Sequence, residues 1–477
     1  MGIDNRDLMP KILPDSEVEM IGFSPAWIKD LIMAQFRIET ATPEGTFAAA
    51  TKVLDHYQEM GVNCLWINPI YQRDEGDRIL SGNNGYGSFG PEIIDNQLSG
   101  TDDSAEAFCR VREFVKEAHA RHIRVLFDVV VWGVAKNAPI VRQCPEFFLK
   151  DDGEYTQVWG GYGYRYDSPA WREWYINACV NFILKTGADG FRIDLEPFVT
   201  GYDIFKEIRC RLYAVGRKVL LLAEGTNRRL ETYDLEQVGV GYYYEEEMKL
   251  ARNYFMDHPL VDHVRSGIGI GDAELMREGT PGRFQFYTIN LCDHDTPDSL
   301  VQGDRLRFGY QGVFSPFIPL WYIGEEWHNP LQLDYSCGPI FYNRIDWSKM
   351  DVPENRKFYE TVKQYIRIRR SYPDIFTYFS QDHRDSNICV VPVEGEPLQA
   401  YARFANDHAI MVLPNSSEAD AANLKATIPY AEMGLSDTDT YVFRDLMTEE
   451  VIATGTPHNI EVTVAPRDMC LVLVEKA

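Results

Sequence analysis

The chain has 477 residues, room for two to four domains or for one large barrel with an added module. Apolar residues make up 45% and charged residues 25%, a folded globular balance that excludes fibrous, low-complexity and disordered classes. The 47 Lys and Arg face 72 Asp and Glu, and a net charge of −25 repels nucleic acid and anionic membranes while leaving a neutral sugar admissible.

The chain is then expected to alternate strands and helices. The stretch Leu31 to Ile38 reads as a first strand. Thr46 to Met60 carries Phe47, Ala50, Leu54 and Tyr57 at helical spacing and stops at Gly61. Val62 to Ile67 is a short continuous apolar run, as in a strand covered on both faces. A helix starting at Asp102 or Asp103, with Glu106 placed for a capping box, buries Phe108, Val111, Phe114 and Val115. The strand Ile123 to Val131 follows.

Residues 132–167 are rich in glycine and aromatic rings and too long for a routine connection, so a small excursion over the barrel mouth is expected. Pro169 opens the next helix, which runs to Gly187. Strands at Gly190 to Leu195 and Val219 to Ala223 flank a helix from Asp203 to Val215. A sixth unit falls between Val238 and Met256. Phe284 to Leu291 and Phe317 to Ile323 read as the seventh and eighth strands, although Pro319 is unusual inside a central strand. Asn355 to Ser371 is the last helix.

Eight alternating units predict an α/β fold of the (β/α)8 TIM-barrel type, with a doubly wound sheet as the alternative. The barrel with its loop subdomain is expected over residues 1–379. Beyond about residue 380 the texture changes to short strands such as Leu398 to Arg403, Ala409 to Leu413, Tyr441 to Arg444 and Met469 to Val474. An antiparallel C-terminal β-sandwich over 380–477 is expected there.

The nine cysteines show no C-x-x-C spacing, so neither a zinc knuckle nor a dithiol redox site is suggested. The first residues lack an apolar leader core, and no apolar run approaches a membrane span. A cytoplasmic protein is expected. These residues leave its oligomeric state open.

In a parallel barrel, chemistry gathers at the C-terminal ends of strands. Those ends supply Asp128, Arg192 with Asp194, Glu224, and His294 with Asp295. Arg192 and Asp194 alternate with Phe191 and Ile193, so both should face the barrel axis. Charges there are costly unless paired, and Arg192 beside Asp128 could keep Asp194 ionised. The converging carboxylates are either barrel salt bridges or the acid and nucleophile of glycoside hydrolysis.

Several segments resemble the conserved regions of the α-amylase family of glycoside hydrolases, in the family's order. GADGFRIDLEPF, from Gly187 to Phe198, matches Asp194 to the nucleophile and Arg192 to the arginine that orients it. LLLAEG, from Leu220 to Gly225, matches Glu224 to the general acid/base. DHD, Asp293 to Asp295, makes Asp295 the third carboxylate and His294 a hydroxyl-binding residue. GNNGYGSFG places Tyr86 where the family stacks a tyrosine on the sugar, and IPLWYIGEEW, from Ile318 to Trp327, resembles its eighth strand and loop. The resemblance implies a carbohydrate substrate and a retaining hydrolase of α-glucosidic bonds, with Asp194 and Glu224 about 5 to 6 Å apart. A transglycosylase or isomerising enzyme sharing the first half-reaction, and a non-catalytic sugar binder, are the alternatives.

The sequence departs from that pattern at three places. DVVVWG, Asp128 to Gly133, keeps the aspartate but puts Trp132 and Gly133 where the family has asparagine and histidine. Indole has no oxygen ligand, so the family's calcium is not expected and neither is any other metal or cofactor. Asn84 replaces a histidine and Asp293 an asparagine. Trp132 is either a sugar-stacking face or a loop anchor. WGGYGYRY, Trp159 to Tyr166, is either a sugar platform or loop packing, and EEEM, Glu245 to Met248, reads as a solvated helix start rather than a metal site.

Overall fold

The computed structural model describes residues 2–21, 24–73, 85–194, 203–223, 238–239, 259–266, 288–291, 294, 305–327, 344–380 and 385–477. Eight short strands form one parallel sheet: β1 (Met33–Phe36), β2 (Cys64–Ile67), β3 (Arg124–Val130), β4 (Gly190–Asp194), β5 (Leu220–Ala223), β6 (Val238–Gly239), β7 (Thr288–Asn290) and β8 (Ile318–Tyr322). They pair in the order β6-β5-β4-β3-β2-β1-β8-β7. The last strand thus lies beside the first, Leu320 opposite Met33. A doubly wound sheet has no such pairing, and the fold is a (β/α)8 barrel.

Successive strand residues point to opposite faces, and the two faces enter different cores. Met33, Cys64, Trp66, Leu126, Leu222 and Leu320 share the inner cluster. Ala34, Leu65, Phe127, Phe191, Ile193 and Trp321 pack outward with the helices. Pro319 sits at the entry of β8, one residue before pairing with β1 begins, where its missing N–H is tolerated.

The surrounding helices include α1 (Leu54–Met60), α2 (Ser104–Ala120), α3 (Pro169–Thr186), α4 (Asp203–Ala214), α5 (Leu260–Ser266) and α6 (Pro353–Ser371). Their caps follow the sequence. The Asp103 carboxylate accepts from the Glu106 N–H at 2.8 Å, and Ser168 caps α3 ahead of Pro169. The helix expected from Thr46 to Met60 is broken by a 3₁₀ turn at Thr51–Val53. There Thr51 Oγ1 donates to the Phe47 carbonyl at 2.9 Å, competing with the regular backbone ladder. α6 begins two residues earlier than expected, because Pro353 suits the first helical position. The expected first strand is trimmed, since Ile38 opens a helical turn.

The excursion after β3 forms its own antiparallel sheet. Gly133–Val134 pairs with Gly161–Gly163, which pairs with Gln157–Val158. The sixth unit appears as β6 beside β5, while Glu245–Met248 lie outside the described residues.

The C-terminal strands β9 (Ile388–Val390), β10 (Tyr401–Ala405), β11 (His408–Asn415), β12 (Ala422–Thr427), β13 (Tyr441–Asp445), β14 (Val451–Gly455), β15 (Asn459–Val464) and β16 (Asp468–Lys476) are antiparallel. A six-stranded sheet runs β9-β10-β11-β16-β13-β14, and β12 pairs with β15. One face of the sheet holds a separate core around Met411, Phe443 and Val472. The other joins the barrel's outer core through Tyr401, Val412 and Leu471. A buried π-helix, Arg307–Val313, lies at that junction. Tyr401 Oη donates to the Tyr310 carbonyl at 2.6 Å, and Tyr310 Oη donates to the Gln399 carbonyl at 2.7 Å. Among the described residues the cysteines are free, and no helix is long and apolar enough to cross a membrane.

Candidate active site

The inward positions of the barrel change from apolar to polar toward the C-terminal ends of the strands. Along β3 they read Leu126 then Asp128; along β4, Gly190, Arg192, Asp194; along β1, Met33 then Gln35. Asp128 and Arg192 stand directly opposite each other in the β3–β4 register. Period-2 alternation therefore delivers the charged residues to one rim.

Arg192 Nη1 bridges the two aspartates, donating to Asp194 Oδ1 at 2.8 Å and to the Asp128 oxygens at 3.1 and 3.2 Å. Asp128 is fully buried and also accepts from Tyr86 Oη at 2.7 Å and Trp66 Nε1 at 2.9 Å. Burial pushes its carboxyl up, against the pull of Arg192, Tyr86 and Trp66. The guanidinium lies 4.7 Å from the centre of the Trp66 ring, so part of its desolvation is offset by a π face.

His294 is clamped above this group. Its ring stacks on Tyr86 with centroids 5.4 Å apart and planes 13° from parallel. Its backbone N–H donates to Gln35 Oε1 at 3.1 Å. That bond settles the orientation of the Gln35 amide, because a peptide N–H needs an acceptor. The amide nitrogen, a donor only, is then what meets His294 Nδ1, and the imidazole carries its proton on Nε2. Burial, then the charges of Arg192 and Arg37, hold the ring well below its ordinary pKa, so it is neutral. Gln35 Nε2 also donates to Asn68 Oδ1 at 3.1 Å, and Asn68 Nδ2 donates to Tyr86 Oη at 3.3 Å. A directed chain of hydrogen bonds thus joins β1, β2 and β3 beneath the mouth.

Arg37, just past β1, is part of a second buried set with Glu39 and Arg73. Burial alone would raise the Glu39 carboxyl, but Arg37 and Arg73 hold it down at about 2. This wall of the mouth keeps its charges paired.

The expected residues divide as follows. Asp128, Arg192, Asp194, Tyr86 and His294 meet in one contiguous group. Glu224 and Asp295 lie outside the described residues, as do Asn84 and Asp293. Trp132 is buried against Tyr86, Val130 and Val158, and Gly161 lies against its ring. These are the contacts of a loop anchor. Gly133 has a matching reason, since a Cβ there would stand 2.1 Å from the Tyr162 carbonyl oxygen. The Trp-Gly pair that departs from the family pattern is shaped to receive the excursion's hairpin.

The stretch Trp159–Tyr166 also divides. Tyr164 is fully buried against Phe148 and Trp171, and Tyr166 Oη donates to the Val131 carbonyl at 3.1 Å. Trp159 is 72% exposed. In the loop after β8, Glu326 is buried and structural, accepting from Trp321 Nε1 at 3.1 Å and the Gly324 N–H at 2.9 Å.

Gln35, Trp66 and Asn68 were not singled out from sequence. Gln35 and Asn68 carried a usable signal, being uncharged polar residues in or just after apolar strands, where burial without a partner is costly.

Comparison with known proteins agrees with this architecture. The family described as "Alpha amylase, catalytic domain" matches residues 14–144. Isoamylase SU1, chloroplastic, of Zea mays is 27% identical over 196 residues, covering 36% of this chain and 25% of the isoamylase. Alpha-amylase MalA of Haloarcula japonica is 27% identical over 442 residues, covering 84% of this chain and 58% of MalA. The chain spans about a quarter of the length of the isoamylases it matches. The noncanonic maltogenic alpha-amylase AmyB of Thermotoga neapolitana shares the fold at a TM-score of 0.70, with 18% identity, covering 94% of this chain and 99% of AmyB. Residues 14–144 are thus similar to the catalytic domain of α-amylases, and the barrel with its C-terminal domain shares the fold of solved α-amylases.

Proposed function

We propose that the protein is a retaining glycoside hydrolase of α-glucosidic bonds in α-glucans or maltooligosaccharides. The observation that carries the reading is Arg192, buried and bridging Asp128 and Asp194 at 2.8 to 3.2 Å. Its guanidinium pairs with the Asp194 carboxylate and fixes that side chain at the rim.

Asp194 attacks the anomeric carbon while Glu224 gives its proton to the departing glycosidic oxygen. Water then attacks the glycosyl-enzyme with Glu224 as base, releasing the sugar with its original anomeric configuration. Neutral His294, with Nε2–H outward, donates to a hydroxyl of the same sugar, and Asp295 accepts from another. Asp128 and Trp132 act indirectly, the first by holding Arg192 and Tyr86, the second by backing Tyr86. The scheme needs no resident metal. At the position matching the family's asparagine ligand stands Trp132, which offers no oxygen.

The test is turnover of maltooligosaccharides and an activated α-glucoside, with NMR of the first-formed anomer. The wild type should release the α-anomer, and Asp194→Asn should lose about a thousandfold or more in kcat. A β-anomer as first product removes the retaining mechanism. Equal rates for wild type and Asp194→Asn remove the enzyme reading. Longer chains or a nonreducing disaccharide as main products would indicate interception of the intermediate by a sugar hydroxyl.

A further inference from the structure

We infer that Trp159 is a sugar-binding platform at an outer subsite of the same mouth, so that the protein discriminates by substrate length; this rests on the carbohydrate reading above. Trp159 and Gly160 form the two-residue turn between paired Val158 and Gly161. Both turn residues are left-handed, φ +49° at Trp159 and +85° at Gly160. Asn or Gly suits the first of these positions, and a bulky aromatic side chain does not. The side chain gains nothing from burial either, being 72% exposed. A residue that breaks the local backbone rule with no packing return marks a functional position.

The turn is held firmly and close to the rim. Val158 packs on the cluster of Trp132, Tyr86 and Val130, and a Cβ on Gly161 would lie 3.0 Å from the Trp132 ring. Lys136 Nζ donates to Gln157 Oε1 at 2.8 Å, bracing the same hairpin. Tyr86 in turn binds Asp128 and stacks on His294. Trp159 therefore stands exposed one residue past Val158, on a support continuous with the residues proposed to grip the reacting sugar. A flat indole offers its face to a pyranose ring, whose axial C–H groups make an apolar surface. The ligand class is a neutral oligosaccharide long enough to reach past the reacting unit.

The test compares Trp159→Ala and Trp159→Asn with wild type on 4-nitrophenyl α-glucoside and on maltoheptaose, with calorimetric titration of maltoheptaose. Both variants should lose about tenfold in kcat/KM on maltoheptaose, mostly through KM, and stay within about twofold on the glucoside. Trp159→Asn, which fits the left-handed turn, should melt no lower than wild type. Equal losses on both substrates, or none on either, overturn the platform. If the wild type turns over neither substrate, the hydrolase reading fails. The titration then decides the platform separately: weaker maltoheptaose binding by both variants upholds it, and unchanged or absent binding overturns it.

Discussion

Gln35 grips His294 from two sides, accepting from its backbone N–H at 3.1 Å through Oε1 and donating to its Nδ1 through Nε2. One amide thus sets both the position and the tautomer of a residue on another strand end. In Gln35→Met the volume is kept while both contacts go. We expect kcat to fall about 10- to 100-fold with KM changed far less, because a second-layer contact orients a group that touches substrate. Loss of the buried hydrogen bond from the His294 N–H should cost about 1–3 kcal/mol in urea unfolding. Unchanged kcat together with unchanged stability would show that the clamp has no role.

Arg192 is the electrostatic centre of the site. Arg192→Met leaves Asp128 buried without its cation, and breaking such a pair costs about 3–5 kcal/mol. Adding Asp128→Asn removes the stranded charge, so the double variant should be destabilised by less than the two single losses added together. Denaturant midpoints of the four proteins give the coupling directly, and strict additivity would mean the two side chains do not interact energetically.

Gly133→Ala sets a Cβ 2.1 Å from the Tyr162 carbonyl oxygen, closer than any real contact. The hairpin must shift, at a cost of about 1–3 kcal/mol. Trypsin should then cut faster at Lys150 and Arg165, which flank it in the excursion. Wild-type resistance in the variant would argue that the close approach is not maintained in solution.

At the opposite end of the barrel Asp189 accepts from His119 Nε2 at 2.8 Å, Arg124 Nη1 at 3.1 Å and the Val125 N–H at 2.8 Å. Burial disfavours the charged forms of both, yet each holds the other ionised. The His119 pKa is raised above 6.5 and that of Asp189 is lowered below 3.8. The folded state therefore binds the His119 proton more tightly than the unfolded chain does. This contribution is fully present below about pH 6.5 and is lost as pH rises through the folded value. The Asp189 part is present above about pH 4 and is lost in acid. The melting-temperature gap between wild type and His119→Gln should be widest near pH 5 to 6 and narrow toward about pH 9. A gap constant over that range would refute the linkage.

The strand ends were legible because side-chain alternation is a local property. Phe191, Arg192, Ile193 and Asp194 need only their own sequence to sort into outer and inner faces. The helix cap at Asp103 was legible for the same reason, since cap and partner lie three residues apart. The limits of elements were less so. The helix predicted from Asn355 starts at Pro353, and the strand predicted from Leu398 starts at Tyr401, where pairing with β11 begins.

Local spacing alone determined alternating strands and helices, an antiparallel appendage and a cluster of charge at the C-terminal ends of the strands, and the pairing of β8 with β1 chose the barrel over a doubly wound sheet. Tertiary structure decided what that charge does. Gln35 and His294 are 259 residues apart, so no periodicity joins them, and the imidazole's proton is placed by an amide from another strand. The same holds for Trp132 and Gly133, whose departure from the family pattern makes sense only against a hairpin thirty residues onward. Asp128 comes to hold Arg192 only because the β3–β4 pairing sets side by side two residues 64 apart in the chain. Hydrogen bonding and desolvation act through space, and folding alone decides which groups become neighbours.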